Sequence, residues 1–468
     1  MNTPILKRRD GVPVVRPIVE MFKQKFRGHA VLPGESDYDS ARQIWNASID
    51  KHPGLIARCS DADDVVRAVQ FARENQILVS IRGGGHNVAG RALCDDGIVI
   101  DLSAMNGVAV DPKSRTVRVQ AGALLSDIDR ETHLHGLAVP MGIVSRTGIA
   151  GLTLGGGVGW LVRKYGLTID NLLECEVVIA TGELVIANKE TNADLFWGLR
   201  GGGGNFGIVT SFIFKAHPVS TVLGGLVLYP REQARDVLRH YRAFMSSAPE
   251  ELTAYAGLLS TPDGIPAVGM LVCYCGELVE GARVVEPLRT FGAPIVDAVQ
   301  PMPFPAMQKL LDESFLDGTY NYWKSTFLAE MSDDVIDVIV EHADRMQSPL
   351  SSVVVEFYAG AASRVGQDET AFAQRRAEYS VGMMAQWTDA TENDKHIGWT
   401  RDMAKALEPH SSGSLLNFLS ENNPDDIHTA FGSNYLRLVD LKTKYDPTNF
   451  FRHNQNIRPT VERVRVHK

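Results

Sequence analysis

The sequence predicts an α+β protein with two lobes, and three observations support this prediction. Its 468 residues allow two to four domains at roughly 100–200 residues each. Short β-branched runs alternate with amphipathic runs of helical spacing. Glycine is concentrated in one stretch, since 23 of the 42 glycines fall between Gly83 and Gly207, and its density drops near Pro218. We therefore predict a first lobe at residues 1–217 and a second lobe at residues 218–435.

The first lobe contains a helix pattern that leads into a strand and then into a glycine loop. Ser60 is a favourable N-cap, and apolar residues recur at helical spacing from there to about Asn75. Residues 77–82 are β-branched and end in Gly83-Gly84-Gly85-His86, so a strand precedes the loop. The other strand patterns are residues 97–102, 116–120, 176–180 and 183–187, the last two joined by Thr181-Gly182 as a hairpin.

The second lobe combines apolar strands with long amphipathic helices. After it, residues 445–456 are rich in aromatic and amide side chains, which is unusual for a terminus that only frays. The strand patterns of the second lobe are residues 224–228, 268–274 and 352–358, and its helices are predicted to start near Arg231, Ser332 and Glu392.

Composition excludes several classes of protein. The net charge of −9 gives no field that attracts nucleic acid or anionic lipid, so we expect neither as a partner. Five isolated cysteines indicate a reducing compartment, and Cys273 and Cys275 are interpreted as strand packing, with no metal expected. The first residues lack the apolar core of a secretory signal, and no run reaches the roughly 18 apolar residues of a spanning helix. We expect a cytoplasmic protein, and the sequence leaves its oligomeric state open.

Three glycine clusters carry the strongest functional signal. Each alone is compatible with a tight turn, but glycine loops also let backbone N–H groups approach an anion closely. Three clusters in one lobe favour a single large anionic ligand. The clusters are Arg82-Gly83-Gly84-Gly85-His86-Asn87, Gly148-x-x-Gly151-x-x-x-Gly155-Gly156-Gly157-x-Gly159 and Gly201-Gly202-Gly203-Gly204-Asn205-Phe206-Gly207.

A Rossmann site is disfavoured although the third cluster formally matches GxGxxG. That fingerprint follows a strand and opens a helix. Here the glycines follow a helix pattern at residues 194–200 and precede a strand pattern at residues 208–214. No GxxxxGK[ST] loop, GxSxG elbow or HExxH pair is present in the sequence either.

The motifs, taken together, resemble the berberine bridge enzyme-like FAD-linked oxidases, which have the PCMH-type FAD-binding fold of the vanillyl-alcohol oxidase superfamily. The resemblance covers nearly the whole chain, in order and at family spacing. Beyond the glycine clusters, it rests on Arg163-Lys-Tyr-Gly-Leu167, Asp170-Asn171, Tyr445-Asp-Pro-x-Asn-x-Phe-Arg452 and Asn454-Gln-Asn456.

The resemblance implies a bipartite FAD-binding lobe and a covalently bound cofactor. The FAD lobe comprises residues 1–217 and a C-terminal segment at residues 436–468, and an antiparallel sheet of the second lobe covers the flavin. His86 matches the histidine that bonds to the flavin 8α carbon in the family. Some members carry a second, cysteinyl link, but the matching residue here is Val144, so we expect only the His86 bond.

The resemblance also implies which residues surround the cofactor. Thr147 occupies the position that gates oxygen in the family, although an ordinary loop hydroxyl is an equal alternative. Most of the 23 clustered glycines should line the FAD cradle. The expected FAD-binding residues are Arg82, Gly83, Gly84, Gly85, His86, Asn87, Gly90, Val144, Thr147, Gly148, Gly151, Gly155, Gly156, Gly157, Gly159, Asn205, Gly207, Ile208, Asn454 and Asn456.

The catalytic base is less clearly marked. Plant relatives place tyrosines in a Tyr-x-Asn-Tyr motif, whereas this sequence has Leu415-Leu416-Asn417-Phe418. The departure puts the plant-type base in doubt and favours an apolar or aromatic substrate over a sugar. Alternation in residues 352–358 places Glu356 and Tyr358 on one face. We favour an outward, solvent-facing Glu356, keep a poised carboxylate as the alternative, and name Glu356, Tyr358, Tyr322 and Thr147 as catalytic candidates.

The resulting functional hypothesis is an FAD-dependent oxidase that acts on a small molecule. It removes a hydride from an alcohol, an amine or an activated C–H group, and oxygen then reoxidises the flavin to give hydrogen peroxide. Two alternatives remain open: a dehydrogenase that uses a different electron acceptor, and a flavin-binding protein that has lost its base.

Overall fold

The computed structural model describes residues 5–421 and 423–460, and it confirms the predicted α+β class. Residues 1–4, 422 and 461–468 of the predicted lobes lie outside the described residues. The strands are β1 (His29–Val31), β2 (Leu55–Arg58), β3 (Val79–Arg82), β4 (Ile98–Asp101), β5 (Val108–Asp111), β6 (Thr116–Gln120), β7 (Leu137–Ala138), β8 (Leu172–Val178), β9 (Leu184–Asn188), β10 (Ile208–Lys215), β11 (His217–Pro218), β12 (Thr221–Pro230), β13 (Leu252–Ser260), β14 (Pro266–Tyr274), β15 (Val296–Asp297), β16 (Gln300–Pro303), β17 (Tyr320–Leu328), β18 (Ser352–Phe357), β19 (Tyr379–Trp387) and β20 (Ser411–Gly413).

Helices connect and cover these strands, with short 3₁₀ turns between several of them. They are α1 (Arg16–Lys25), α2 (Tyr38–Ala41), α3 (Ala62–Glu74), α4 (Leu125–His133), α5 (Ile149–Leu154), α6 (Val162–Tyr165), α7 (Ala193–Leu199), α8 (Ala234–Met245), α9 (Leu278–Thr290), α10 (Phe304–Gln308), α11 (Asp333–Ala343), α12 (Ala361–Arg364), α13 (Asn393–Leu407), α14 (Pro424–Phe431) and α15 (Tyr435–Tyr445).

Three larger sheets organise the chain. A four-stranded sheet has the order β1-β2-β4-β3, with β4 parallel to both β2 and β3. A five-stranded antiparallel sheet has the order β5-β6-β10-β8-β9, and it contains the predicted β8–β9 hairpin, whose turn residue Gly182 has φ +84°. The second lobe contains a long antiparallel sheet with the order β15-β12-β14-β13-β18-β19-β17-β20, and β16 pairs with β12.

The start of α3 differs from the prediction by one residue. Asp61, not Ser60, is the N-cap, and its side chain accepts a hydrogen bond from the Asp64 backbone N–H at 2.9 Å. Ser60 instead donates from its backbone N–H and its hydroxyl to the buried Asp64 carboxylate. The Ser60 hydroxyl is engaged by the Asp64 carboxylate, and the aspartate that follows it, Asp61, caps the helix. The predicted N-cap at Ser332 is confirmed for α11.

Two large hydrophobic cores correspond to the two lobes. The first core combines residues of the glycine-rich lobe with Ala371 and with residues between Leu416 and Ile457. The second core lies between the long sheet and the helices α8 and α11. Ala371 and the residues from Leu416 onwards thus pack with the first lobe, although part of them falls inside the range predicted for the second lobe. The lobe limits themselves stay a prediction.

A buried ion pair fastens the C-terminal segment to the first lobe. The side chains of Lys442 and Asp446 are both fully buried, with 2.7 Å between Nζ and Oδ2. Lys442 Nζ also donates to the carbonyl oxygens of Asn205 and Phe451, at 2.8 and 2.7 Å. The ammonium group therefore joins the third glycine cluster to the segment that follows α15.

Replacing Lys442 by methionine should destabilise the protein strongly, because the ammonium group that bonds the Asp446 carboxylate and two backbone carbonyl oxygens is removed from a buried place. Breaking one partner of a buried pair typically costs about 3–5 kcal/mol. The matched control is Lys444→Met, since Lys444 pairs with Asp194 on the surface and should contribute about 0–1 kcal/mol. Urea unfolding measures both variants, and a Lys442→Met variant as stable as Lys444→Met would contradict this interpretation.

Candidate active site

One large cavity lies where the two lobes and the C-terminal segment meet. The first lobe contributes the loop at residues 83–87 and much of residues 142–158. The long sheet contributes Trp323, Glu356 and Met384. The remaining wall consists of residues 415–418 and of the stretch from Phe451 to Gln455. The cavity is therefore bounded by parts of all three glycine clusters and by two segments near the C-terminus.

Glycines bring two loops of the first lobe into direct backbone contact at this cavity. A Cβ atom on Gly84 would lie 2.5 Å from the Gly148 nitrogen, and one on Gly148 would lie 2.3 Å from the Gly84 nitrogen. At Gly151 and Gly204, which line the cavity, a Cβ would meet nothing within 4 Å and would project into open space. The glycines thus keep a broad, backbone-lined space free of side chains.

Fewer of the clustered glycines line the cavity than the sequence predicts. Eleven of the 23 do so. The others are needed where the chain turns or packs closely, as at Gly182 in the β8–β9 turn and at Gly159, where a Cβ would lie 2.1 Å from the Met141 carbonyl oxygen.

His86 lies at the end of the loop that follows β3, and its half-buried side chain lines the cavity. Its ring stacks on Trp45, with 4.4 Å between ring centroids and 13° between planes. Its Nε2 atom is enclosed and has no hydrogen-bond partner among residues 5–421 and 423–460. Burial lowers the pKa of His86 to about 4, so the imidazole is neutral near pH 7.

Glu356 is the only carboxylic acid that lines the cavity within the described part of the chain. The expected outward orientation is wrong, because the residue is 4% exposed and its face of β18 lies against residues of the first lobe such as Trp160 and Leu161. Burial raises the pKa of Glu356 to about 7, while the Tyr358 hydroxyl, which donates to Oε2 at 2.6 Å, acts in the opposite direction. The alternation itself is confirmed, since Val353, Val355 and Phe357 pack in the second core.

The motif regions match established family descriptions. A model of the FAD binding domain matches residues 53–188, and one described as berberine and berberine-like matches residues 415–458. An FAD-linked oxidoreductase of Dictyostelium discoideum is 33% identical over 447 residues, which cover 94% of this chain and 97% of the relative. The chain belongs to the berberine bridge enzyme-like family of FAD-linked oxidoreductases.

Further relatives of this FAD-linked oxidoreductase include enzymes named as oxidases. The (R)-6-hydroxynicotine oxidase of Paenarthrobacter nicotinovorans is 30% identical, covering 92% of this chain and 97% of the relative. The crystal structure of 6-hydroxy-D-nicotine oxidase from Arthrobacter nicotinovorans has a TM-score of 0.86 at 29% identity, with 93% of this chain and 98% of that chain covered. These matches confirm the PCMH-type FAD-binding fold and FAD as the cofactor.

The structure places fourteen of the twenty expected FAD-binding residues of this flavoprotein on the cavity wall. Asn205 lies behind it, where its side chain bonds to the Gly202 and Gln455 carbonyl oxygens and to the Ile457 N–H. Five others, Arg82, Gly90, Gly156, Gly159 and Asn456, also lie outside the lining. The lining residues are Gly83, Gly84, Gly85, His86, Asn87, Val144, Thr147, Gly148, Gly151, Gly155, Gly157, Gly207, Ile208 and Asn454.

The two tyrosine candidates have different positions. Tyr358 is buried and hydrogen-bonds Glu356 but does not line the cavity. Tyr322 lies on the opposite face of the sheet, packed with Ala385 and Trp387 beneath α13, and it contacts Arg401. The candidate role of Tyr322 is therefore not supported, because neighbouring strand residues face opposite sides and Trp323 is the one that faces the cavity.

Sequence reasoning missed two residues at this site. Arg91 lines the cavity, and its side chain forms no ion pair with any residue that the structure describes, while its Nε atom is enclosed without a partner. Its place five residues after His86 in the glycine loop was a usable signal. Trp45, which stacks on His86, lies in a stretch without any motif and gave no signal.

Other motif residues of the flavoprotein hold the lobes together. Arg375 of the second lobe makes a bidentate pair with Asp170, at 2.7 and 2.9 Å, and its side chain is nearly fully buried. Arg163 donates to four backbone carbonyl oxygens of the second lobe, among them those of Leu252 and Ala359. These contacts fix the second lobe, whose sheet carries Glu356, against the glycine-rich first lobe.

The described part of the chain contains neither a membrane-spanning helix nor a cluster of potential metal ligands. None of its helices combines the length and the apolar character needed to cross a bilayer. Residues 5–421 and 423–460 contain no group of three or more potential metal-binding side chains in ligating positions. All five cysteines are buried and unpaired, and Cys273 packs within β14 as predicted.

Proposed function

We propose that the protein is an FAD-dependent oxidase of a small, apolar or aromatic alcohol, amine or activated C–H compound, with its FAD bonded to His86. The supporting observation is the shared cavity, which His86 enters from the glycine-rich lobe and Glu356 from the sheet. A single enclosed space thus contains a neutral imidazole and a carboxyl group whose pKa of about 7 suits a general base.

The residues present fit FAD. The backbone-lined space at Gly151 and Gly204 leaves room for a bulky ligand, and the loop amides of residues 83–87 suit an anionic diphosphate. Arg91 supplies a cation that no carboxylate of the described chain neutralises. We propose that Arg91 and this loop hold the diphosphate, that Asn454 lies along the flavin, and that Val144 leaves the cofactor with one covalent bond.

Replacing Arg91 by alanine should weaken FAD binding because the diphosphate loses a charge-assisted hydrogen bond. A hydrogen bond of this kind contributes roughly 1.5–3 kcal/mol. We expect the dissociation constant of FAD to rise by about one to two orders of magnitude, measured by fluorescence titration in a His86→Ala background that prevents covalent attachment.

The control ligand for the Arg91 experiment is riboflavin, which has no phosphate. Its affinity should not change in Arg91→Ala. An equal loss for riboflavin and FAD would show that Arg91 acts on the shape of the cavity and does not bind the diphosphate.

The loop at residues 83–87, Arg91 and His86 would hold FAD, and the bound cofactor would supply hydride acceptance from the substrate carbon and reoxidation by oxygen with release of hydrogen peroxide. Glu356 takes the proton from the substrate hydroxyl or amine, and the Tyr358 hydroxyl, which donates to Oε2, stabilises the ionised carboxylate that accepts this proton. The hydrophobic walls exclude water around this carboxyl group. We propose that Thr147, which is half-buried on the cavity wall, borders the path of oxygen.

The walls around Glu356 support an apolar substrate. Trp323 and Phe418 meet edge to face at 5.4 Å, and Phe315 lies 5.6 Å from Trp323. Leu415 and Leu416 complete this side of the cavity. Sugar binding requires many directed polar groups, which these residues do not offer. Structures named as chitooligosaccharide and xylooligosaccharide oxidases, at 22% identity, share the fold alone.

Oxygen consumption with a panel of hydrophobic alcohols and amines tests this proposal. We expect one class of compound to bleach the flavin without air and to produce hydrogen peroxide in air. Flavin that is bleached by substrate but reoxidised only by an added electron acceptor would indicate a dehydrogenase. Flavin that no compound bleaches and that air does not reoxidise after photoreduction would indicate a binding protein.

A further inference from the structure

The His86 ring is stacked on Trp45, and one of its two nitrogen atoms is left without a hydrogen-bond partner in the described part of the chain. Its Nε2 atom has no partner within the described ranges, whereas its face lies flat on Trp45 at 4.4 Å. Aromatic stacking restricts the tilt of a ring but leaves its nitrogen atoms free. Trp45 therefore determines the plane of the imidazole without competing for the nitrogen that must react.

Trp45 itself is fixed by the second lobe. It is 4% exposed, and its Nε1–H donates to the Phe315 carbonyl oxygen at 3.0 Å. The next residue, Asn46, is 1% exposed and donates through Nδ2 to the carbonyl oxygens of Val88 and Asn321, at 2.8 and 2.9 Å. Residues 45–46 thus connect the loop of His86 to the start of β17.

We propose that Trp45 is a positioning residue for the covalent attachment of FAD to His86. The inference rests on the proposed function, because it requires that bond. It goes beyond the proposed function because it assigns the orientation of the reacting His86 ring to the indole of Trp45, which is anchored on the second lobe. Attachment then depends on the docking of the two lobes, since the anchor of Trp45 is a carbonyl of the second lobe.

The bond balances as follows in atoms and electrons. One imidazole nitrogen of His86 joins the flavin 8α carbon, while the imidazole N–H bond and one C–H bond of the 8-methyl group break. Both hydrogens and the two electrons remain on the flavin, which is thereby reduced. Molecular oxygen then takes two electrons and two protons and leaves as hydrogen peroxide. Trp45 exchanges no atom, so its effect is confined to the rate at which the nitrogen meets the carbon.

The test measures covalent incorporation of FAD, not turnover. Apoprotein from a flavin-starved host is mixed with FAD, and samples are precipitated with acid at intervals to count the flavin that stays with the protein. Trp45→Met keeps apolar bulk without a flat ring and should slow incorporation by roughly 2- to 10-fold, as loss of an aromatic pair implies. Trp45→Phe restores a stacking ring and should lie within about twofold of the natural protein.

The chain offers a matched control in Trp197. It is also 4% exposed and donates its indole N–H to a backbone carbonyl oxygen, that of Asp368, at 2.8 Å, but its ring lies under the Arg437 guanidinium and not against His86. Trp197→Met should leave the incorporation rate unchanged. Trp45→Leu is a second variant without an aromatic ring. If only one of Trp45→Met and Trp45→Leu folds and binds FAD, that variant alone tests the role of Trp45.

Two results would contradict this inference, and they differ in what they leave intact. Incorporation by Trp45→Met or Trp45→Leu at the rate of Trp197→Met would overturn the role of Trp45 and leave the His86 bond intact. Natural protein that retains no flavin after acid precipitation would overturn the proposed His86 bond and, with it, this inference.

Discussion

Replacing Glu356 by glutamine should lower kcat/KM by about 10²- to 10⁴-fold, the usual contribution of a general base. The substitution keeps the size of the side chain and removes only the group that takes the substrate proton. FAD content should be unchanged, because the residue contributes from the sheet and not from the cofactor loops. Stopped-flow measurement of flavin bleaching by substrate, without oxygen, isolates this step from reoxidation.

The pH dependence of the same step provides a signature that a structural role would not give. With a pKa of about 7, Glu356 is ionised above that pH, so kcat/KM should rise tenfold per pH unit below about 7 and level off above it. Tyr358→Phe removes a donor that stabilises the ionised carboxylate. The pKa of Glu356 should therefore rise further, and the rising part of the kcat/KM profile should move to higher pH.

Tyr322→Phe is the matched control for both experiments. Its ring lies on the other face of the same sheet, where its hydroxyl accepts from Arg401 at 3.2 Å. The variant should keep the pH profile and kcat/KM of the natural protein. A Glu356→Gln variant with unchanged bleaching, or a profile without a step near pH 7, would show that another group takes the proton.

Replacing His86 by alanine should abolish covalent flavin while leaving FAD bound without a bond. The glycine loops and Arg91, which are proposed to hold the diphosphate, stay in place. Substrate oxidation should slow, because an electron-withdrawing imidazolyl substituent favours the reduced flavin. For a two-electron couple, each fall of about 30 mV in the reduction potential weakens the equilibrium for hydride transfer about tenfold.

His453→Ala is the control for the His86 experiment. His453 also lines the cavity, but its Nε2 lies 2.7 Å from the Leu93 carbonyl oxygen and is engaged there. The variant should keep its covalent flavin. Redox titration and acid precipitation measure both variants, and His86→Ala protein with covalent flavin would place the bond elsewhere.

The sequence predicted many helices and strands and the positions of the glycine loops because these depend on local chemistry. Glycine at Gly84 and Gly148 is required by backbone contact, and the β8–β9 hairpin is specified by its turn. Sequence alone was less informative about side-chain direction. Alternation assigned Glu356 and Tyr358 to one face but gave no information on which face the other lobe covers.

The missed residues have a common physical cause. Trp45 acts through His86 and Phe315, which lie 41 and 270 positions away, and no local pattern encodes such a contact. Arg91 is distinguished by a buried Nε atom that has no hydrogen-bond partner in the described part of the chain, and this can be seen only in the folded structure. Tyr322 was misplaced because one register position separates it from Trp323, and that single position decides which side of the sheet it faces.

Mass spectrometry of one tryptic peptide tests the central claim most directly. Trypsin cuts after Arg82 and Arg91, so residues 83–91 form a single peptide that contains His86 as its only histidine. The natural protein should yield this peptide with the mass of one FAD added and the fragment ions should place the addition on His86. A peptide of unmodified mass, with all flavin released by acid, would contradict the account.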